Sequence, residues 1–338
     1  MTSIYIEDIQ VDSNHFPPMV HAPTLCMLPN GELLTVWYAG SYEGASDTVL
    51  VSARRVPGPG GGWSEPTLLL KLPALPLGNP VLFAEANLVR LFFVILYGSW
   101  WTAARLACIE SCDGGRTWSS PELLRDEAGL MSRTPPVRLR TGTLLLPVYD
   151  EQNWAPLVLR QEAGKRDWQL FGDTTARGRA IQPALAELAD GSILMYSRSN
   201  QGAIFASWSF NDGRSWTASQ PTTLPNPNSS IALVAVPAIP GKTGTGEESL
   251  VLVYNPDSQG RERLAVGVSI DRGRTWTPPC LLASGQGEFS YPTALVAPDG
   301  TFHVVFSRHR AFITHATFDL AWAAGGDQGA ALPEPCHK

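Results

Sequence analysis

One octet occurs three times in this chain, and it limits the fold more than any other feature. Ser269-Ile-Asp271-Arg-Gly273-Arg-Thr275-Trp276 has relatives in Ser111-Cys-Asp113-Gly-Gly115-Arg-Thr117-Trp118 and Ser209-Phe-Asn211-Asp-Gly213-Arg-Ser215-Trp216. The shared pattern is Ser-x-Asp/Asn-x-Gly-x-Thr/Ser-Trp. A repeat of this kind decides architecture before any single residue does, because each copy occupies an equivalent place. Its chemistry is that of a tight hairpin. Asp or Asn bonds the backbone two residues on, Gly takes a positive φ, and the hydroxyls bond locally. The Trp opens the next strand and anchors the turn on the sheet beneath. The polar groups are consumed by the turn, so the octet supplies a frame and the chemistry lies elsewhere.

The tryptophans give the period. Trp168 falls midway between Trp118 and Trp216, and Trp63 ends Gly60-Gly61-Gly62-Trp63 upstream, so both read as copies that lost the Asp turn. The successive gaps are 55, 50, 48 and 60 residues, which makes five units, each long enough for four short strands. Apolar runs bounded by Gly, Asn, Asp and Pro predict strands over 32–38, 48–53, 91–97, 143–149, 192–197, 249–254 and 301–306. Further strands fall in 286–318, 4–8 and 17–27. Helical pattern is confined to short pieces near 121–126 and 320–324. Four-stranded units of this size are propeller blades. The expected fold is all-β, a six-bladed β-propeller whose sixth blade takes strands from both termini, which protects the open edge. It forms one domain over 1–323, with 324–338 a flexible tail.

Composition narrows the function. A formal net charge of −6 and no Lys/Arg-rich run argue against nucleic acid as a partner. No stretch of about 20 apolar residues suits a membrane span. Met1-Thr-Ser-Ile-Tyr-Ile-Glu-Asp lacks a basic region followed by an apolar run, so the expected location is cytoplasmic, with secretion left open. Cys26, Cys108, Cys112, Cys280 and Cys336 are odd in number and match no metal-ligand spacing, which predicts buried free thiols and no metal or other cofactor. Nothing in the sequence fixes an oligomeric state.

A propeller carrying these octets resembles the sialidase (neuraminidase) superfamily of Asp-box, or BNR-repeat, proteins over residues 15–318. The resemblance implies a carbohydrate substrate and a pocket on the propeller axis. There, three arginines hold the substrate carboxylate, a Tyr activated by a Glu is the nucleophile, and an Asp is the acid/base. An anionic substrate repels a carboxylate nucleophile, so a neutral phenol suits it, and guanidinium groups clamp a carboxylate through two bonds each. Glu288-Phe-Ser-Tyr291-Pro-Thr-Ala-Leu-Val-Ala-Pro-Asp-Gly is similar to the family's nucleophile strand, which makes Tyr291 the nucleophile; the plain alternative is a Tyr packed at a strand start. Gln182-Pro-Ala-Leu-Ala-Glu187-Leu-Ala-Asp190-Gly191-Ser-Ile-Leu-Met-Tyr-Ser-Arg198 resembles the strand pair with the Glu and the second Arg. Arg198 takes the Arg place and Gln182 the Glu place. Arg261 is the better match to the third Arg, with Arg263 as fallback; either could be a solvated edge charge. Asp47, in Ser46-Asp47-Thr-Val-Leu, takes the acid/base place or else caps a loop. His21, in His21-Ala22-Pro23, stands where the first Arg belongs.

Both departures remove charge. A Gln cannot take the Tyr proton, and a His clamps a carboxylate less well than a guanidinium. The implied site therefore differs in ligand from an ordinary sialidase. Substitute contacts are available in Glu288, Glu43, Tyr149-Asp150-Glu151 and Arg133, in Asn226-Pro-Asn228-Ser, and in the Arg308-His309-Arg310 patch, all of them residue types common in surface loops. The leading expectation is a sialidase-like glycoside hydrolase acting on a terminal acidic or sialic-acid-related sugar. Asp47 and Tyr291 are its catalytic residues; His21, Gln182, Arg198, Arg261 and Glu288 contact the substrate. The alternatives are a lyase in which His21 and Tyr291 abstract a proton beside a uronic acid carboxylate, and a non-catalytic carbohydrate-binding propeller.

Overall fold

A computed structural model describes residues 4–9, 15–58, 61–172, 176–236 and 248–325. Their strands make six antiparallel sheets. Blade 1 runs from Met19–Met27 to Thr67–Leu70, blade 2 from Leu77–Glu85 to Glu122–Leu123, and blade 3 from Leu130–Ser132 to Gln169–Gly172. Blade 4 runs from Ala180–Glu187 to Gln220–Pro225 and blade 5 from Ala232–Val236 to Cys280–Ser284. Blade 6 holds Phe289–Val296, Phe302–Arg308 and Phe312–Phe318, and its outer strand is Tyr5–Ile9 from the chain start. The six-bladed propeller read from the repeats is the fold. Of the two N-terminal strands, only Tyr5–Ile9 closes the ring, paired with Phe312–Phe318 from Tyr5 opposite Thr317 to Ile9 opposite Ile313. Met19–Met27 is the inner strand of blade 1.

The sequence shows little alternation because the middle strands are covered on both faces: every residue of Leu33–Gly40 and of Ile193–Ser199 is buried. All five repeat tryptophans pack, half-buried, against apolar clusters at the blades. The expected helix near 320–324 is present as Leu320–Ala323, capped by Asp319 and burying Trp322. The piece near 121–126 is instead the short outer strand Glu122–Leu123, because blade 2 needs a fourth strand there. Cys26 and Cys280 are buried free thiols as expected, but Cys112 is exposed on its octet turn. Cys336 and nearly all of the tail 324–338 lie outside the described residues.

Candidate active site

One backbone device recurs around the axis. The inner strands of blades 1, 2, 4 and 6 each break register once, between His21 and Thr24, Gly78 and Val81, Ile181 and Pro183, and Ser290 and Thr293. At each break a residue of positive φ precedes a proline: Ala22 (51°), Asn79 (45°), Gln182 (51°) and Tyr291 (56°). A bulge re-aims side chains. The left-handed conformation costs these residues on the order of 1–3 kcal/mol each and persists only where the surroundings enforce it, as at functional sites. The enforcement is visible here: the backbone N–H of Ala22 donates to Ser307 Oγ at 3.0 Å. Arg133, fully buried, reaches across to donate to Tyr291 O at 2.7 Å and to Pro23 O at 3.2 Å. Burial pushes its pKa down to about 10, so it stays charged at neutral pH. Arg133 is thus a strut tying blade 3 to blades 6 and 1, and not a rim contact.

The bulges bring the chemistry together. Arg198 Nη1 donates to Tyr291 Oη at 2.9 Å and to Gln182 Oε1 at 3.0 Å, while its Nε donates to Asn228 Oδ1 at 2.7 Å. A guanidinium only donates, which fixes the Gln182 amide with its oxygen toward Arg198. Gln182 Nε2 then donates to Tyr149 Oη at 3.3 Å, which also accepts from Asn79 Nδ2 at 3.0 Å. Arg261 lies with its guanidinium carbon 5.8 Å from the Tyr291 ring centre. Burial pushes the Tyr291 phenol up, but Arg198 and Arg261 outweigh it against an opposing push from Glu43, and the phenol sits below its usual range.

A line of alternating charges borders this cluster. Arg310 pairs with Glu43 and donates to Glu288 Oε2 at 3.0 Å; Glu288 Oε1 accepts from Arg261 at 2.8 Å. Burial raises the Glu288 carboxyl, but its bond from Ser290 and the charges of Arg310 and Arg261 bring it down to about 2. Arg198, by contrast, has no carboxylate in bonding contact among the described residues. His21 is fully buried, its ring 4.2 Å from that of Tyr291, with neither nitrogen bonded. Burial first, then Arg310, drive its pKa far down, so the imidazole is neutral.

The structure therefore gathers His21, Gln182, Arg198, Arg261, Glu288 and Tyr291 at one end of the axis. Arg263 points away to pair with Asp257. Asp47 accepts from the Ser41 N–H at 3.0 Å and from the Ser41 hydroxyl, bonds that hold its carboxylate below the usual range and cap the loop between the second and third strands of blade 1. Arg308 pairs with Asp8, and His309 Nδ1 accepts from the Glu288 N–H at 3.2 Å. Asn226 is buried in its own turn. Asn228 and Arg310, both from stretches the sequence offers as substitute contacts, belong to this end of the axis; Asn79 was not singled out, but Asn79-Pro80 repeats the step of Gln182-Pro183 and Tyr291-Pro292, and that recurrence was readable. Inner-strand residues Ala184, Ala186, Ala232, Ala294 and Val296 line a cavity of about 390 Å³. Its charged members Arg138 and Glu187 are engaged with Glu85 and Arg140.

A six-bladed Asp-box ring with an arginine-held tyrosine at the axial ends of its inner strands defines a sialidase-type propeller. The model of the BNR repeat-like domain family matches residues 31–304, and the chain belongs to that family. A sialidase of Bacteroides fragilis (strain YCH46) is 23% identical over 242 residues, which cover 65% of this chain and 43% of that protein. The chain thus spans less than half the length of this relative. Among solved structures, the Hadza microbial sialidase Hz136 superposes with a TM-score of 0.80 at 20% identity, over 94% of this chain and 68% of that one. The leech intramolecular trans-sialidase superposes at 0.79 and 15% identity (96% and 71%). The intramolecular trans-sialidase of Ruminococcus gnavus superposes at 0.76 and 14% (96% and 98%). At these identities the likeness is one of fold.

Proposed function

We propose that this protein is an exo-acting glycoside hydrolase of sialidase type, with a terminal acidic sugar as substrate. The observation that carries the reading is the Arg198–Tyr291 contact of 2.9 Å inside a ring of cations that favours the phenolate. Tyr291 Oη attacks the anomeric carbon, and Arg198 receives the sugar carboxylate. Arg261 and Arg310 are each paired with glutamates, so the carboxylate meets one unpaired cation and a polar wall of Gln182 and Asn228. That asymmetry supports a substrate other than the usual sialoside, related to it by its carboxylate.

The contact of His21 with Tyr291 favours a second reading, in which the pair serves proton abstraction beside a uronic acid carboxylate. The test is to incubate the protein with sialosides, with other acidic glycosides and with uronic acid oligosaccharides. Reducing sugar without new ultraviolet absorbance is the expected result. A new unsaturated chromophore supports the lyase instead. Tyr291→Phe is expected to lower kcat by about 10³-fold or more, the scale at which removal of a member of a catalytic triad is felt. Turnover by Tyr291→Phe equal to wild type overturns both readings.

A further inference from the structure

We propose that Glu151 is the proton donor of this site, the carboxylic acid that protonates the leaving oxygen while Tyr291 attacks the anomeric carbon. The proposal rests on the hydrolase reading and deepens it. A departing glycosidic oxygen needs a protonated acid, and a carboxyl keeps its proton near neutral pH only where its anion is poorly supported. Around the Tyr291 end of the axis, three carboxyl groups are engaged by donors. Asp47 is held by both donors of Ser41. Glu43 is paired with Arg310. Glu288 accepts from Arg261, Arg310 and Ser290 together.

Glu151 differs from all three. Its side chain is half-buried and has no hydrogen bond or ion pair among the described residues. Its backbone is fixed: the Glu151 N–H donates to Gly129 O at 2.9 Å, and Asp150 caps the turn by accepting from the N–H groups of Gln152 at 2.8 Å and Asn153 at 3.1 Å. Two residues before it, Tyr149 bonds Gln182 and Asn79 inside the cluster, so this strand end opens onto the site. The charges that act on Glu151 are those of Arg198, Glu43 and Asp150. Burial raises its carboxyl above the usual range, Glu43 and Asp150 add to this, and Arg198 only partly offsets it.

The step balances. The Tyr291 phenolate forms a bond to the anomeric carbon, the glycosidic C–O bond breaks, and its oxygen takes the proton of Glu151, which becomes a carboxylate. Water then attacks the same carbon and gives a proton to Glu151. The Tyr291 C–O bond breaks, and both groups return to their starting states. The sum is glycoside plus water giving free sugar plus alcohol.

A donor is diagnosed by its leaving-group dependence. The Glu151→Gln and Glu151→Ala variants are assayed against para-nitrophenyl and lactosyl glycosides of N-acetylneuraminic acid and of its deaminated and uronic acid counterparts. The expected result is a fall of about 10²- to 10⁴-fold in kcat/KM on the lactosyl glycoside. The para-nitrophenyl glycoside, whose leaving group needs no proton, is affected less than tenfold, and the alkaline limb of the wild-type pH profile is lost. Equal losses on both leaving groups, or the leaving-group signature in Asp47→Asn or Glu43→Gln instead, overturn the assignment with the hydrolase reading intact. A wild-type protein that hydrolyses none of these glycosides overturns the hydrolase reading, and the assignment with it.

Discussion

Gln182 is the residue on which the site turns. Arg198 fixes its amide, so it presents an acceptor to the cation and a donor to Tyr149, and it holds no charge beside Tyr291. Gln182→Glu would place an anion there while keeping the Arg198 contact. An anion beside a phenol disfavours the phenolate. The acid limb of the kcat/KM profile, and the phenolate absorbance in a spectroscopic titration, should therefore shift to higher pH by on the order of one unit; an unmoved limb would show that Tyr291 does not titrate there. Arg133 allows a stability prediction. Arg133→Ala leaves the buried carbonyl of Tyr291 without its donor, while that of Pro23 keeps the Thr293 hydroxyl, and a loss of about 2 kcal/mol or more in urea unfolding is expected. Tyr291, Arg198 and Arg261 were legible in the sequence because each stands at a landmark of a repeated strand pair. Arg310 and Asn228 were legible as candidate contacts but their partners were not, since both come from loops whose approach to the axis depends on ring closure. Arg133 lies next to a landmark, but its burial is a property of the assembled ring.

The Asp-box octets were legible as hairpins and illegible as joints. The hairpins close through local bonds as expected, but the Asp or Asn reaches the backbone four residues on and not two: Gly273 N–H donates to Ser269 Oγ at 2.8 Å, Thr275 N–H to Asp271 Oδ1 at 2.8 Å, and Ser215 N–H to Asn211 Oδ1 at 2.9 Å. The structure adds that every octet is received by the preceding blade. Arg54 of blade 1 donates to Gly114 O at 2.6 Å, Arg160 of blade 3 to Asp212 O at 3.0 Å, and the Tyr196 hydroxyl of blade 4 to Gly273 O at 2.9 Å. Arg54, Arg160 and Tyr196 carry no shared motif, so pairing them with the octets needs the ring. The glycines sit where this docking is tightest. Gly273 has φ +79°, and a Cβ there would come within 2.9 Å of Tyr196 Oη and 3.2 Å of Leu194. Gly273→Ala thus combines backbone strain with a forced shift of blade 4, and a destabilisation of about 2 kcal/mol is expected. Turnover per folded molecule should be unchanged, because the joint lies away from Tyr291; a loss of kcat without loss of stability would contradict a purely structural role.

At the scale of the whole molecule, the question is what keeps the ring shut. Residues 5–9 pair with blade 6 as its outer strand, and their side chains reinforce the pairing. Thr314 Oγ1 donates to Asp8 Oδ1 at 2.6 Å, Arg308 pairs with Asp8, and Arg55 Nε donates to Glu7 Oε1 at 3.2 Å from blade 1. Behind Glu7 stand two stacked imidazoles, His303 Nδ1 and His315 Nε2 at 3.1 Å, with His315 Nδ1 3.2 Å from Glu7. Closure by both termini could be inferred from leftover strands; this histidine pair could not, since His303 and His315 meet only once the hairpin forms. Burial first, then the charge of His315, lowers the His303 pKa from 6.5 to about 4, against an opposing pull from Asp299 and with Arg55 adding to the lowering. His315 is also lowered, by burial, although Glu7 opposes this. The sign follows from proton counting. Between pH 6.5 and 4 the unfolded chain binds a proton at His303 that the folded chain does not, so stability falls as pH falls through this window and levels off below it. At about 1.4 kcal/mol per unit, His303 accounts for roughly 3 kcal/mol of that loss. His303→Gln should therefore unfold in urea with a shallower pH dependence than wild type. The stability difference between the two should be constant above pH 6.5 and move by roughly 3 kcal/mol in favour of the variant by pH 4; parallel curves would remove His303 from the closure.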